Sequence, residues 1–367
     1  MALAIYRKYR PKKLSDVLGQ ETITEILRNA ARSERLAHAY LFYGPRGSGK
    51  TTTARIIAKI ANCEKRQNDP KFRETGEPCS ECRPCKEIDE GRALDVVEID
   101  AASNRGIDEI RDLKEGIRFS PTSYRYKVFI VDEAHQLTGP AFNALLKTLE
   151  EPPAHAIFIL ATTEFEKMPA TITSRTQRFH FKRLPLIEIV KKLKDIARAE
   201  KIEAQEDALE LIAAAAEGSF RDAESLLDQI ASLEDKIDLE GVERILGRVG
   251  FLRTAELAEL LIKKDLQAAL DYLSKINEGG HNVVQFNKDL IHYLRRVLAL
   301  HFAPNLESGF KRELTDEELK TIKKHSQMIQ PEATIALLKS LIRAYTEMRY
   351  SPFAIVPLEV AIIENLK

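Results

Sequence analysis

An eight-residue stretch, Gly44 to Thr51, constrains the fold of this chain more than any other part of its sequence. It reads G-P-R-G-S-G-K-T and matches the phosphate-binding template G-x-x-x-x-G-K-[ST] at every fixed position. The apolar residues Ala39–Tyr43 precede it and are typical of a short buried strand, and Thr52–Asn62 follows with the periodicity of a helix. A strand, a glycine-rich loop and a helix in this order predict an α/β domain that holds phosphate groups.

The residue types of this loop suit ATP bound together with Mg²⁺. Its glycines let consecutive backbone N–H groups turn towards phosphate oxygens, and the helix that follows adds the positive end of its dipole. Lys50 is expected to reach the β- and γ-phosphates, and the Thr51 hydroxyl is expected to ligate Mg²⁺. The residues expected to bind the nucleotide here are Gly44, Pro45, Arg46, Gly47, Ser48, Gly49, Lys50, Thr51 and Thr52.

A second apolar run ends in two carboxylates. Val128–Val131 is followed by Asp132 and Glu133, and such a run is typical of a strand buried on both faces of a parallel sheet. Ligands of open α/β sheets bind at the carboxyl ends of the strands. We therefore expect Asp132 to hold Mg²⁺ through water and Glu133 to act as the base, or as the group that orients water, for attack on the γ-phosphate.

A third strand, predicted at Ala156–Thr163, ends in two threonines beside the carboxylates. A polar side chain at this point can touch the γ-phosphate or the attacking water, and Thr163 is favoured over Thr162 for that role. Residues 132–135 also read D-E-A-H, which marks a class of helicases. No second ATPase-like α/β domain is evident downstream, so His135 is expected to be a capping or packing residue.

All four cysteines of the chain fall in one window, with the spacing C-x15-C-x2-C-x2-C. The prolines and polar residues between them predict a loop that cannot bury a core of its own. Disulfides are uncommon in a reducing cytosol, and a tetrahedral zinc held by four thiolates would close such a loop. An iron–sulfur cluster is the alternative reading of C-x2-C-x2-C. The expected metal ligands are Cys63, Cys79, Cys82 and Cys85, with no catalytic role.

Charge and hydropathy restrict the partners and the location. Lys and Arg number 56, as do Asp and Glu, so any contact with nucleic acid must come from a local basic surface. Arg105, before a helix predicted at Ile107–Ile117, could hold a DNA phosphate, although a solvated charged helix is the favoured reading. The sequence contains no apolar run long enough for a membrane span and no signal peptide, which predicts a cytoplasmic location.

Several further stretches resemble the gamma/tau subunits of the bacterial DNA polymerase III clamp loader, which are AAA+ ATPases. They are R-P-x-x-L-x-D-V-x-G-Q at residues 10–20, N-A-L-L-K-T-L-E-E-P-P at 143–153, A-T-T at 161–163 and Ile172-Thr173-Ser174-Arg175. The cysteine insertion is shared too, although the interval from Cys63 to Cys79 is longer than is usual in the family. The family's Ser-Arg-Cys motif has Thr176 in its third place here, which leaves Arg175 unaffected.

The resemblance implies three roles outside the loop and the carboxylates. Residues 10–20 would pack on the adenine. Arg175 would reach the ATP of a neighbouring subunit, in trans. Arg221, in the stretch G-S-F-R-D-A, would be the sensor-2 arginine that contacts the γ-phosphate from a small lid domain.

The expected fold class is an α/β P-loop NTPase domain of the AAA+ type with a parallel sheet, followed by a small helical lid domain and an all-α collar. We place these at residues 1–183, 184–247 and 248–367, with the zinc-binding insertion at about 63–85. Glu21–Leu36 is predicted to be a helix with Ile23, Ile26 and Leu27 inward. One apolar stripe of the collar comprises Phe286, Leu290, Tyr293, Leu294, Val297 and Leu298.

The function that the resemblance implies is ATP-driven opening of the ring-shaped sliding clamp and its loading onto primer-template DNA. The partners would be other clamp-loader subunits in a heteropentameric ring, held together by the collar. One alternative is an AAA+ initiator or branch-migration motor, which the cysteine insertion and the lack of a winged-helix domain disfavour. The other is a non-hydrolysing scaffold subunit of the loader, which the intact Lys50, Thr51, Asp132 and Glu133 disfavour.

Overall fold

A computed structural model of the chain describes residues 4–103, 116–117, 119–247, 249–311 and 314–367. The chain divides into two compact units, Met1–Leu184 with Ser219–Arg221, and Pro185–Gly218 with Asp222–Lys367. Arg105, considered above as a DNA contact, and most of the helix predicted at Ile107–Ile117 lie outside the described residues.

The first unit is built on a five-stranded sheet, and its parallel pairing confirms the predicted parallel sheet. The strands, in chain order, are β1 Ala39–Tyr43, β2 Val96–Asp100, β3 Lys127–Asp132, β4 Ala156–Thr162 and β5 Gln177–His180. Their order across the sheet is β2-β3-β4-β1-β5. Strands β1 and β3 therefore flank β4, and their carboxyl ends meet at one edge of the sheet.

Alternate residues of the strands face two separate hydrophobic cores, because successive side chains of a strand point to opposite faces. Tyr40 and Phe42 pack with helical residues such as Ile57 on one face of the sheet. Leu41 and Phe129 pack on the other face with Leu145 and its neighbours. The register pairs Tyr43 with Thr162 and Val131 with Leu160, so the ends of β1, β3 and β4 are nearly level.

Helices cover both faces of this sheet. Those of the first unit are α1 Ile5–Lys8, α2 Glu21–Arg32, α3 Lys50–Asn62, α4 Glu64–Asn68, α5 Pro70–Arg73, α6 Arg83–Asp89, α7 Gly139–Glu150 and α8 Ala170–Thr173. Helix α2 is four residues shorter than the predicted Glu21–Leu36. The prediction that Ile26 points inward is wrong, since it is 49% exposed. The buried face of α2 is centred on Ile23, Thr24, Leu27 and Ala31, and Ile26 lies on its flank.

The second unit is helical apart from two short paired strands, β6 Glu203–Ala204 and β7 Lys236–Ile237. Its helices, with the first residues of α11 grouped in the other unit, are α9 Leu186–Glu200, α10 Glu206–Ala215, α11 Phe220–Ala231, α12 Leu239–Leu246, α13 Phe251–Ile262, α14 Leu266–Glu278, α15 Val283–Phe302, α16 Glu307–Phe310, α17 Asp316–Met328, α18 Pro331–Met348 and α19 Val356–Leu366. The predicted stripe on α15 is buried throughout, which explains why the segment folds as a bundle. The expected division into lid and collar at residue 247 stays a prediction.

Candidate nucleotide site and cysteine cluster

The glycine-rich loop connects the end of β1 to the start of α3. Gly44 has φ +142° and Gly49 has φ +100°, a conformation that side chains other than glycine rarely adopt. A Cβ added at Gly44 would lie 2.1 Å from the carbonyl oxygen of Phe181. The loop therefore needs glycine both for its turns and for its close approach to the chain after β5.

Lys50 is buried at the first position of α3. Its Nζ donates hydrogen bonds of 2.8 Å to the carbonyl oxygens of both Gly44 and Pro45, so the ammonium lies inside the curl of the loop. Burial lowers the pKa of Lys50, and the charges of Glu133 and Asp132 oppose that shift. The lysine is thus placed among the backbone groups expected to surround phosphate.

The loop and the carboxylate strand meet at Thr51 and Asp132. The Thr51 hydroxyl donates a hydrogen bond of 2.7 Å to Oδ2 of Asp132, although the two residues lie 81 positions apart in the chain. The other oxygen, Oδ1, accepts a bond of 2.9 Å from the backbone N–H of Glu133. A hydroxyl and a carboxylate at this separation form the kind of oxygen pair that Mg²⁺ prefers.

Glu133 turns sharply out of β3, with φ +46° in the left-handed region. Its Oε2 accepts a hydrogen bond of 2.8 Å from the hydroxyl of Thr163, which follows the neighbouring strand β4. Thr162 is fully buried and its hydroxyl lies 2.9 Å from Nδ1 of His135 instead. Of the two threonines, Thr163 is the one that the structure brings to Glu133.

His135 is a packing residue with a buried side chain, in agreement with the prediction, and it also contacts Glu133 and Glu164. Its side chain is 4% exposed, its Nε2 lies 3.1 Å from a carboxylate oxygen of Glu164, and its Nδ1 lies 3.5 Å from Oε2 of Glu133. The residue thus packs behind the Glu133–Thr163 pair. In the sequence, the position of His135 two residues after Glu133 is the feature that could have indicated this contact.

Residues 12–20, here called the N-terminal segment, pack on the loop. The Gln20 side chain is buried and donates from Nε2 to the carbonyl oxygen of Lys182 at 2.9 Å, with a longer contact of 3.5 Å to that of Ser48. Val17 lies 3.7 Å from where a Cβ on Gly49 would be. The segment therefore lies against the point where α3 begins.

Ser219 and Arg221 group with the first unit, although they follow the first residues of the lid in the chain. A Cβ on Gly47 would lie 1.8 Å from the Ser219 hydroxyl oxygen, which brings residue 219 onto the loop. The Arg221 guanidinium lies 5.3 Å from the centre of the Tyr6 ring. Within the first unit, Ser219 therefore lies on the phosphate loop and Arg221 lies beside Tyr6 of α1.

Arg175 lies at the opposite edge of the sheet. It follows α8 and precedes β5, whose first residue, Gln177, is level with Tyr40 near the amino end of β1. Its Nη1 donates to the carbonyl oxygen of Thr171 at 2.8 Å, and its Nη2 pairs with Glu150 at the end of α7. The structure does not bring Arg175 to the phosphate loop of its own chain.

The four cysteines come together in the insertion that contains α4 to α6. Their four sulfur atoms lie within 4.8 Å of one another, and Cys63, Cys79 and Cys85 are buried. Backbone N–H groups point at the sulfurs, as from Cys79 to Cys63 at 3.4 Å and from Cys82 to Cys79 at 3.2 Å. The Cys63–Cys82 and Cys79–Cys85 sulfur pairs are each 4.0 Å apart. A Zn–S bond of about 2.3 Å corresponds to tetrahedral edges of about 3.8 Å, so the cluster fits zinc.

The long interval between Cys63 and Cys79 does not exclude Cys63 from this cluster. Helices α4 and α5 occupy the interval and return the chain to the other three sulfurs. A hydrogen bond with the neighbouring Cys85 side chain lowers the pKa of the Cys63 thiol, and the same contact raises the pKa of Cys85.

No helix among the described residues is both long and apolar enough to cross a membrane.

The sheet order, the glycine-rich loop and the carboxylates at the end of β3 define a P-loop ATPase fold of the AAA+ class. Residues 19–185 match a family described as DNA polymerase III, delta subunit. Residues 188–233 match the ATPase lid domain of the DNA polymerase III clamp loader subunit, and residues 237–366 match domain III of its gamma and tau subunits.

Individual relatives agree with these matches. The tau subunit of DNA polymerase III from Bacillus subtilis is 44% identical over 98% of this chain and 62% of that protein. The gamma subunit from Buchnera aphidicola is 35% identical over 97% of this chain and 96% of that protein. A solved Holliday junction branch migration motor from Thermotoga maritima is 18% identical over 72% of this chain and 85% of that one, with a TM-score of 0.47, a likeness too distant to bear on function.

The chain therefore belongs to the gamma and tau subunits of DNA polymerase III, a family of clamp-loader AAA+ ATPases. It spans 62% of the length of its Bacillus subtilis relative.

Proposed function

We propose that this chain is an ATP-driven motor subunit of a clamp loader of the bacterial replicative polymerase. The observation that carries this proposal is the 2.7 Å hydrogen bond between the Thr51 hydroxyl and Asp132. It joins the glycine-rich loop to the carboxylate strand, and Thr51 and Asp132 are the residues that would hold Mg²⁺ beside the phosphates of ATP. When bound, Mg²⁺ would neutralise phosphate charge and leave the proton chemistry to the protein.

The residues around Thr51 and Asp132 would have different roles in ATP hydrolysis. Lys50 would release the carbonyls of Gly44 and Pro45 and bind phosphate oxygens in their place. Glu133 would orient the attacking water and accept its proton. Thr163, which donates to Glu133 at 2.8 Å, would hold that carboxylate towards the water or contact the γ-phosphate itself. We propose Arg46, Ser48 and Thr52 as further nucleotide contacts from the same loop and helix.

Two arginines would complete the site from different directions. Arg221 would contact the γ-phosphate within the same chain, which its grouping with the first unit supports. Arg175 would contact the ATP of the next subunit, since about 13 Å of strand separates the level of Gln177 from Gly44 at about 3.3 Å a residue. A site completed in this way requires an assembled ring.

The partners follow from the family and stay part of the proposal. They are other clamp-loader subunits in a heteropentameric ring, the sliding clamp and primer-template DNA, with the chain acting in the cytoplasm. ATP binding would form the state that grips clamp and DNA, and hydrolysis would release the clamp on DNA. A branch-migration motor or a non-hydrolysing scaffold subunit has less support, because the chain matches the gamma and tau families and its sequence keeps Lys50, Thr51, Asp132 and Glu133.

We propose zinc as the occupant of the cysteine cluster. Among the described residues the cluster consists of four thiols, a set that suits a closed structural site rather than a catalytic one. Iron in the same cluster is the competing occupant, and the colour and metal content of the purified protein separate the two.

Replacing Lys50 by alanine tests the nucleotide site directly. Lys50→Ala should abolish ATP binding by the isolated chain, because no other ammonium is seen within the curl of the loop among the described residues. Lys71→Ala, an exposed lysine of the insertion, is the matched control and should bind ATP as the wild type does. Wild-type affinity in the Lys50 variant, measured by calorimetric titration, would show that the loop is not a phosphate site.

A further inference from the structure

The cysteine insertion makes its first contact with the N-terminal segment through Glu77. One carboxylate oxygen of Glu77 accepts the backbone N–H of Leu14 at 2.8 Å, and the other accepts that of Ser15 at 3.0 Å. These N–H groups open the short 3-10 turn Leu14–Asp16, and groups at such a start lack a helical acceptor. The Glu77 side chain is only 13% exposed, and its carboxylate is shared between these N–H groups and the Arg28 guanidinium.

A second contact runs through the tight turn between Cys79 and Cys82. Ser80, in that turn, has φ +58° and donates from its hydroxyl to the carbonyl oxygen of Lys12 at 3.2 Å. The same hydroxyl accepts from Nζ of Lys59 at 3.3 Å, and Lys59 is completely buried on α3. The turn that carries two metal ligands is thus tied to both the N-terminal segment and the helix that follows the phosphate loop.

The insertion also sits directly on α2. A Cβ added at Gly76, which has φ +71°, would lie 2.5 Å from Cγ of Arg28 and 2.6 Å from its carbonyl oxygen. Arg28 donates from Nε to Glu77 at 3.1 Å. The buried Arg66 of α4 donates from Nη2 to the carbonyl oxygen of Ala31 at 2.8 Å. The insertion therefore packs closely against α2 at two places, around Arg28 and at Ala31.

The far end of the N-terminal segment lies on the phosphate loop. Gln20 is bonded to Lys182 and approaches Ser48, and Val17 lies against Gly49. Leu14 and Val17 belong to the same hydrophobic core as α3. Residues 12–20 thus bridge the cysteine insertion and the loop, with Glu77 and Ser80 at one end and Gln20 at the other.

We propose that the cysteine insertion is the support that holds the N-terminal segment against the phosphate loop, with Glu77 as its positioning residue. Zinc in the four thiols would fix the Cys79–Cys82 turn and, through it, Ser80 and Glu77. Losing the metal or the Glu77 carboxylate would loosen residues 12–20 and weaken nucleotide binding. This role rests on the proposed binding of ATP by the same unit.

An insertion that only stabilises the fold would behave differently. Its loss would lower the melting temperature, while the folded protein would keep its affinity for ATP. The two roles are separated by measuring the affinity of chains that are still folded, and by observing the backbone groups that Glu77 binds.

The experiment compares Glu77→Gln and Glu77→Ala with Glu74→Gln, a charge-matched control at an exposed position of the same insertion. Two quantities are measured on the full chain: amide hydrogen exchange at Leu14 and Ser15, and the Kd for ATP. Because hydrogen bonds to a charged group are among the stronger ones, we expect exchange at both amides to quicken about tenfold and the Kd to rise about fivefold in Glu77→Ala. Glu77→Gln should show smaller changes in the same direction, and Glu74→Gln should match the wild type.

Metal removal provides an independent arm. Stripping zinc from the wild type with a chelator should raise the Kd for ATP and speed exchange at Leu14, and adding zinc back should reverse both. The same treatment of Glu77→Ala should add little, since two changes that act through one contact are not additive. If the wild type binds ATP, and neither Glu77→Ala nor metal removal changes its Kd, this role alone is overturned. A wild-type chain that does not bind ATP overturns the proposed function as well.

Discussion

Replacing Arg175 by alanine should silence the ATP site of a neighbouring subunit and spare the site of its own chain. In this structure the guanidinium bonds the carbonyl of Thr171 and pairs with Glu150, and both partners lie away from the phosphate loop. Gln177, two residues further on, is level with Tyr40 at the start of β1, four residues before Gly44. At about 3.3 Å a residue the separation along the strand is about 13 Å, too far for a direct bond within one chain.

The magnitude follows from the two environments of the side chain. In the free chain the Arg175–Glu150 pair is 33% and 47% exposed, so its loss should cost less than about 1 kcal/mol of stability. At a neighbour's γ-phosphate, an arginine supplied in trans accelerates turnover by about 10³-fold to 10⁵-fold. Arg175→Ala should therefore leave folding and ATP binding by the isolated chain unchanged and reduce turnover at the adjacent site at least about 10³-fold.

The assay is single-turnover hydrolysis in rings that contain one Arg175→Ala subunit at a known position. Arg175→Lys keeps the charge but loses the forked geometry, and should remain strongly impaired. Arg178→Ala, an exposed arginine on β5, is the matched control and should hydrolyse ATP normally. A defect confined to the mutated subunit's own site would refute the assignment in trans, and so would an isolated chain that hydrolyses ATP as fast as the ring.

The remaining predictions concern the base, the metal and a titrating carboxylate. Glu133→Gln should bind ATP with wild-type affinity but turn over orders of magnitude more slowly in the assembled complex, and unchanged turnover would remove Glu133 from its role. Elemental analysis should find about one zinc per chain, and Cys82→Ala should lower the melting temperature without stopping hydrolysis; bound iron would reject the zinc site. Burial, with the charge of Glu318, raises the pKa of Glu210 from 4.5 to about 7, so ionisation destabilises the fold as the pH rises through that range. Glu210→Gln should therefore melt higher than the wild type at pH 8 and lose this advantage near pH 4.5, whereas an equal gain at both pH values would contradict the shift.

The sheet and the core of the site were predictable because their signals are local. An apolar run such as Val128–Val131 is typical of a strand buried on both faces of a parallel sheet, and the glycine spacing of the loop matches a phosphate-binding template. Thr162 is the last buried position of β4, and the Thr163 hydroxyl bonds Glu133, while a contact between Thr163 and the γ-phosphate or the attacking water stays a prediction. The buried strand and the position of the two threonines can each be inferred from the order of residues within a single strand.

Other features left no local signal. Strand β5 was not predicted, because only Phe179 of its four residues is buried and the strand lies at the sheet edge. Ile26 was assigned inward from hydropathy, yet the buried face of its helix is set by where α2 meets the sheet. The hydrogen bond between Gln20 and Lys182 joins residues 162 positions apart. The hydrophobic periodicity of either stretch gives no indication of such a long-range bond.

The level strand ends of the sheet decide where this chain can change in length. Adding one residue inside β1 would move Tyr40 and Phe42 to the wrong face and carry Gly44 about 3.3 Å past Thr162. The same holds for β3, whose last residue must meet the Thr51 hydroxyl. Length can vary instead in the connection between β1 and β2, after α3 has been completed. The cysteine insertion occupies that connection, where an ancestral insertion could be accepted without moving any strand end.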